Sequence, residues 1–321
     1  TRLTDSGLSI TQWDPVMGAI PPLTAASWDA AFDLYKTTSE WALQNTAMTL
    51  AEFKVIYWWE WAHRQLGRFI GLYWLVGFVA FWATGKIPRQ RALAVFLIGP
   101  FIAVQGLFGW LMVNSGLQGT RIDVASYWLM IHLGAAFALL GYVAWYAQIL
   151  GRSEAELITA RRARERVFGL GTGLMHFAFL QILLGALVAG IDAGRNFTDW
   201  PLMAGGLLPP DLFALDPWWR NFFEDDGLVQ FMHRISGYAL FAFAIFVGLR
   251  AAKSPNKQTR KAFGTVGLLM VVQMVIGVVT VMNAAPLHFA ILHQFMGVLL
   301  WLAIIRGRFL AGYPIVSSVR G

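Results

Sequence analysis

Two dipeptides, His63-Arg64 and His233-Arg234, each open a long apolar segment. Each is followed, after a similar length of chain, by a further histidine within apolar sequence: His132 follows His63, and His293 follows His233. One histidine-pair module is thus written twice. Two imidazoles presented by two neighbouring helices can ligate haem iron inside a bilayer. A histidine buried in a membrane span is costly and tends to be functional. The bland alternative is a structural histidine bonding across helices, and four repeated positions with duplicated arginine neighbours outweigh it. Zinc also takes histidine, but paired histidines on apolar helices without nearby carboxylate sets suit haem better. The expected iron ligands are His63, His132, His233 and His293, forming two pseudo-equivalent haem sites.

Other polar residues gather around these pairs. Arg64 and Arg234 point about 100° away from their histidines around the helix, where a forked guanidinium could bind haem propionates. Arg68, one turn further on, could assist them or reach lipid headgroups. Glu60 sits three positions before His63 on the same helix face, and Gln230 holds the equivalent place in the second half. A carboxylate beside one site and an amide beside the other suggest chemistry in the first half and support in the second. The competing reading of Glu60 is an acid favoured by a helix N-terminus, which Glu52 fits better. His176 and His288 have no repeated counterpart and read as structural. Gln105 and Gln273, with Gly109 and Gly277, suggest close helix packing with interhelical hydrogen bonds.

The elements that must position these residues are membrane helices. Of 321 residues 57% are hydrophobic and only 13% charged, about half the charged fraction of an ordinary soluble domain. Apolar runs near 63–83, 92–113, 124–150, 168–190, 228–250, 262–282 and 287–305 each approach or exceed the roughly 20 residues of a span. In lipid such runs must be helical. Loops 84–91, 151–167 and 250–261 are rich in Lys and Arg, whereas residues 1–60 and 191–228 each carry seven acids against three and two basic residues. The basic loops therefore face the cytoplasm or mitochondrial matrix, and the histidine sites lie toward the other side. The net charge of +7 reflects this bias and gives no reason to invoke nucleic acid. With no cysteine in the chain, disulfides, thiolate sites and iron–sulfur ligation by its side chains are excluded.

The repeat extends beyond the histidines. The stretch around Gln105 resembles that around Gln273, and Gln181 with Gly185 forms a third Gln-x-x-x-Gly copy. Thr4–Pro22 matches Ile191–Pro210, with Asp5, Gly7, Thr11 and Trp13 pairing at one constant offset with Asp192, Gly194, Thr198 and Trp200. The expected fold is an all-α polytopic membrane protein of two pseudo-symmetric four-helix bundles in parallel orientation. Seven spans lie within the chain, and both the repeat and the orientation imply an eighth before Thr1. Residues 1–150 form the first half, on the substrate side; 151–167 are a basic linker; 168–321 form the second half, on the cofactor side. The longer first-half segment, with helical apolar spacing over Thr24–Asn45, is expected to lie on the membrane surface as a lid.

The residues that carry a resemblance are TRLTDSGLSITQWDPVMGAIPP, EFKVIYWWEWAHRQLGR, QGLFGWLMVNSGL, FMHRISGYAL and LHQFMGVLL, in that order. Together they resemble the heme A synthase family, in its cysteine-free branch. The resemblance implies an integral membrane enzyme that oxidises the C8 methyl of haem O to the formyl group of haem A by successive hydroxylations. It implies that His63 and His132 attend the substrate haem, with Glu60 as the adjacent acid, and that His233 and His293 hold a haem b cofactor. Implied partners are haem O and haem A, membrane lipid, an unidentified electron donor, a haem O synthase and cytochrome oxidase assembly factors, and the residues leave a homo-oligomer open. The setting is the bacterial cytoplasmic membrane or mitochondrial inner membrane. For turnover, either a histidine leaves the substrate iron, or electrons leave that haem and water attacks an activated methyl while Glu60 takes a proton. The rival reading of the residues is a bis-histidine cytochrome b that passes electrons to or from quinone. It accounts for the histidines but poorly for the Glu60/Gln230 difference. A transporter would call for broken helices or midplane acids, for which the chain offers no convincing candidate.

Overall fold

A computed structural model describes residues 1–315 of the chain. Its helices are α1 (Ala25–Tyr35), α2 (Ser39–Gln44), α3 (Leu50–Ala83), α4 (Arg89–Phe96), α5 (Ile98–Gly116), α6 (Ser126–Leu150), α7 (Glu154–Arg162), α8 (Val167–Gly190), α9 (Asn221–Glu224), α10 (Asp226–Ala251), α11 (Lys257–Met282) and α12 (Leu287–Gly312). Among the described residues, seven helical segments are long and apolar enough to cross a membrane, with α4 and α5 together making one of them. The all-α polytopic reading therefore holds. Large apolar side chains such as Phe69, Tyr73, Val76 and Leu268 stay exposed along these helices, as lipid-facing surface requires.

One element starts far from where hydropathy places it. The apolar run begins near residue 63, yet α3 begins at Leu50. Thr49 accepts from the Glu52 backbone N–H, and the Glu52 carboxylate accepts from the Thr49 backbone N–H and hydroxyl. This capping box satisfies orphan donors of the first turn. The added turns also gain an apolar partner: Phe53 and Tyr57 pack with Trp28, Phe32 and Tyr35 of α1. Phe32 and Phe53 stack at 4.9 Å, and Trp28 meets Tyr57 edge-on at 5.0 Å, pairs worth about 0.5–1.5 kcal/mol each beyond area burial. Hydropathy misses this stretch because Glu52, Lys54 and Glu60 interrupt it, while an aromatic face every third or fourth residue still builds a helix.

Residues 1–49 form a first cap on α3, with α1 and α2 as its helices, so the expected lid segment is indeed helical. Residues 191–225 form a second, shorter cap beside α10, organised around the buried Asn221. Its side chain receives the Leu215 N–H and donates to the carbonyls of Leu215 and Trp218. Asp5 and Asp192, matched positions of the two caps, both adopt the left-handed backbone conformation, with φ of 44° and 54°.

By packing, the chain divides into two compact units. The first comprises Thr1–Ala135 with Ala189–Ile191; the second comprises Ala136–Val188 with the chain from Asp192 onward. One histidine pair lies in each unit. In the first, α3, α5 and the start of α6 surround His63 and His132. In the second, α8, α10, α11 and α12 surround His233 and His293.

Candidate functional site

In each unit the two histidines face one another across neighbouring helices. The ring centres of His63 and His132 are 6.4 Å apart, and those of His233 and His293 are 6.5 Å apart. Two imidazoles on opposite sides of one metal ion, each at about 2 Å, stand with ring centres about 6.3 Å apart once the ring radii are added. Both pairs match that separation. Among the described residues, no three His, Cys, Asp or Glu side chains gather around one point. A metal ion here would take two protein ligands and draw the rest from elsewhere, as porphyrin iron does. The donor set therefore fits haem and not a protein-caged ion.

Three of the four imidazoles rest on the same device. The Gln105 amide on α5 donates to the His132 carbonyl at 2.8 Å, Gln181 on α8 to that of His233 at 2.9 Å, and Gln273 on α11 to that of His293 at 3.1 Å. One turn on from each glutamine is a glycine. A Cβ added at Gly109, Gly185 or Gly277 would stand 3.2, 3.1 or 2.9 Å from the Cε1 of the facing histidine. The glycines admit the rings, and the glutamines tie down their helices. Residue spacing signalled close packing here; that each motif meets a histidine becomes visible only in three dimensions.

The arginines beside the histidines turn toward the caps. Arg64 donates to the carbonyls of Ile10 and Gln12, at 2.7 and 2.9 Å. Arg234 donates to those of Phe197 and Asp199, at 2.6 and 2.9 Å, and also to that of Leu202. Ile10 and Gln12 precede Phe197 and Asp199 by the same offset that relates the cap sequences. Arg68 adds bonds to the carbonyls of Asp14 and Pro15. Most of these guanidinium donors thus clasp cap backbone, the position in which the sequence reading had set propionates. Arg68 Nη1 and Arg234 Nε remain buried without a partner.

Glu60 is buried and fully engaged. One oxygen accepts from the Ser9 hydroxyl at 2.7 Å and the Ile10 N–H at 2.8 Å. The other receives the Arg64 Nε and Nη2 at 3.1 and 2.6 Å. The ion pair is shielded, with 12% and 3% of the Arg64 and Glu60 side chains exposed. In the second unit Gln230 donates to the Ala193 carbonyl at 2.6 Å, and its Oε1 finds no partner. Ser9 and the cap carbonyls escaped the sequence reading; the constant cap spacing was the signal that could have found them. Glu52 serves as the capping acid. His176 bonds its own helix at the Thr172 carbonyl, and His288 packs on Phe289.

The first cap holds a second buried acid, Glu40 of α2. Burial, followed by repulsion from Asp123, Asp5 and Glu60, pushes its carboxyl up to about 8. One of its oxygens has no hydrogen-bond partner.

Comparison with known proteins gives a consistent picture. The family profile described as cytochrome oxidase assembly protein, COX15-CtaA, matches residues 1–305. A protein named heme A synthase from Ruegeria sp. (strain TM1040) is 56% identical over 324 residues, covering all of this chain and 85% of the relative. Proteins of the same name from Jannaschia sp. (strain CCS1) and Paracoccus denitrificans (strain Pd 1222) are 54% and 53% identical, each over 322 residues. These alignments also cover all of this chain, with 85% and 84% of the relatives.

Proposed function

This chain belongs to the COX15-CtaA family of cytochrome oxidase assembly proteins and is an integral membrane enzyme that makes haem A from haem O; from that premise we propose how its residues divide the work. His63 and His132 hold the iron of the substrate haem O. His233 and His293 hold a resident haem b. The imidazole separations, 6.4 and 6.5 Å, support two-histidine ligation at both pairs, and the observation that carries the choice of substrate side is the buried carboxylate of Glu60 where the second unit has Gln230.

When bound, haem b supplies one-electron redox chemistry. The chain's own residues then have three tasks. His63 and His132 orient the substrate through its iron. Arg64, Arg68 and Arg234 hold the caps over the histidine pairs through backbone carbonyls, which restricts water entry. Glu60, one helical turn before His63, accepts a proton released as the C8 methyl is oxidised. Its present partners, Ser9, Ile10 and Arg64, make it the link between proton handling and cap closure.

The basic segments 84–91 and 151–167 face the cytoplasm or matrix, so the caps and histidine pairs lie toward the opposite side. An enzyme that makes haem O supplies the substrate, and the oxidase assembly machinery takes the product.

Haem extraction and chromatography on protein from cells that make haem O tests the assignment, with the native chain set against Glu60→Gln. The native protein is expected to carry haem b together with haem O, its hydroxylated form or haem A. The variant is expected to keep its haems and lose the oxidised species. Haem b alone in both would overturn the substrate assignment and leave a carrier of electrons.

A further inference from the structure

Each cap carries an uncharged apolar tip. Residues 15–23 of the first cap and 200–210 of the second contain no Asp, Glu, Lys, Arg or His. Their large side chains point outward: Val16 and Leu23 are 76% and 77% exposed, and Leu207 is 82% exposed. Ile20 and Leu207, both exposed, stand at the offset that relates the two caps. One exposed leucine is ordinary. A cluster of exposed apolar side chains on two matched loops marks an interaction surface.

What that surface meets follows from where the tips are fastened. Gln65 Nε2 donates to the carbonyls of Gly18 and Ala19 at 3.2 and 3.4 Å, and Arg68 donates to those of Asp14 and Pro15. Both side chains arise inside the apolar run of α3, and a glutamine reaches only about one helical turn, about 5 Å. The first tip therefore lies alongside the membrane-spanning part of α3, whose outward side chains there include Leu66 and Phe69. In the second unit Trp200 Nε1 donates to the Tyr238 hydroxyl at 2.8 Å. Tyr238 stands about 15 Å along α10 from the start of its apolar run near residue 228. Trp13 and Trp200, at matched positions beside the tips, are of the residue type that favours the headgroup layer.

The backbone of the tips is largely closed on the protein, as lipid requires. Asp14 Oδ1 accepts from the N–H groups of Val16 and Met17, and those of Ala19 and Ile20 donate to the carbonyls of Val16 and Met17. The Asp199 carboxylate accepts from the N–H groups of Ala204 and Gly205, while Met203 and Gly206 exchange both of their bonds. Pro15, Pro21 and Pro22, like Pro201, Pro209 and Pro210, have no N–H to satisfy. A loop bathed in water can leave such groups to solvent.

We propose that residues 15–23 and 200–210 are membrane anchors. Each tip is immersed at the boundary between headgroups and acyl chains of the leaflet where its own helix, α3 or α10, begins. Each cap is thus held by lipid as well as by its arginine clasp. Immersion does not depend on which haem either unit holds.

The chain has no cysteine, so Ile20→Cys and Leu207→Cys each give one labelling site. Bimane-labelled full chain is placed in phosphatidylcholine nanodiscs. Lys253→Cys, in a basic loop, is the water-exposed reference, and Val76→Cys, on α3, is the lipid-facing one. Phosphatidylcholine with a nitroxide near its headgroup is expected to quench both tips severalfold more than the Lys253→Cys label, and aqueous iodide severalfold less. A nitroxide near the chain end should quench the Val76→Cys label more than either tip. Iodide quenching at either tip equal to that of the Lys253→Cys label would overturn immersion and leave a water-facing surface suited to a protein partner. Met17→Cys and Leu208→Cys, also at exposed positions, replace the first pair if either variant fails to accumulate.

Discussion

At the two His-Arg junctions the same clasp closes beside two different side chains, Glu60 and Gln230. Arg64 and Arg234 each hold a pair of cap carbonyls at matched positions of the repeat, and each follows a histidine poised 6.4 or 6.5 Å from its partner. One turn before the arginine the junctions diverge. Glu60 receives four hydrogen bonds and completes an ion pair, whereas Gln230 gives one and leaves its oxygen orphaned. Arg234 Nε, the atom whose counterpart in Arg64 meets Glu60, is likewise left without a partner. The clasp is common to both junctions because its acceptors are backbone atoms, which any sequence supplies. The carboxylate is a side-chain choice made in one unit only, and its cost is met by the arginine beside it. The difference teaches that the two junctions share their clasp and diverge in the side chain one turn before it.

The comparison breaks most sharply at the histidines. His63→Ala should abolish haem A formation, with at least about a hundredfold loss of activity, while haem b remains bound. His233→Ala should remove haem b. Chromatography of extracted haems reads both, and loss of the same haem species from each variant would contradict two separate sites.

Next in size is the carboxylate. Glu60→Gln should lower activity by about 10²–10⁴-fold, whereas Gln230→Glu should leave a charge with only Arg234 to meet it and lower stability without creating a second active site. Because Glu60 also anchors the cap, Ser9→Ala is the companion variant. It removes one bond to a charged group, worth about 1.5–3 kcal/mol, and keeps the acid. A Ser9→Ala enzyme as inactive as Glu60→Gln would move Glu60 from proton handling to cap retention.

The clasp itself should yield similar effects in both units. Arg64→Lys and Arg234→Lys replace a fork that reaches several carbonyls with a single ammonium. Each is expected to raise hydrogen exchange in its own cap, residues 1–24 for the first and 191–206 for the second. A uniform response across both caps would contradict local clasps.

The smallest expected effect is confined to the first cap. Between pH 4.5 and about 8 the folded chain keeps a proton on Glu40 that the unfolded chain has released. Stability contributed by this group therefore falls as pH rises through that window and levels off above it. Glu40→Gln should flatten the decline, read as melting temperature in detergent from about pH 5 to above pH 8. An unchanged slope would remove Glu40 as its source.

Several features could be read from the chain alone. The seven spans follow from apolar length, since a bilayer forces any such run to close its own hydrogen bonds, and apart from the start of α3 the helices appear where hydropathy puts them. The four histidines and the duplication are legible as spacing. The start of α3 is not, because the turns before residue 63 are stabilised by an aromatic face against α1 and by a capping box, neither of which raises mean hydropathy. The carbonyl partners of the arginines are hidden for a related reason. A guanidinium near a ligand histidine suits a carboxylate of any origin, and one-dimensional spacing cannot show that a cap distant in sequence brings its carbonyls there.

By itself the sequence determined what is local or periodic: helix-forming apolar runs, charge-biased loops, the repeated histidines and the constant offset between the caps. The tertiary structure decided which polar atoms meet: imidazole with imidazole, glutamine with histidine, arginine with cap carbonyl, and Glu60 with Ser9, Ile10 and Arg64. Those pairings depend on directed contacts of about 3 Å between atoms far apart in sequence, and only the packing of the helices and caps brings such atoms together.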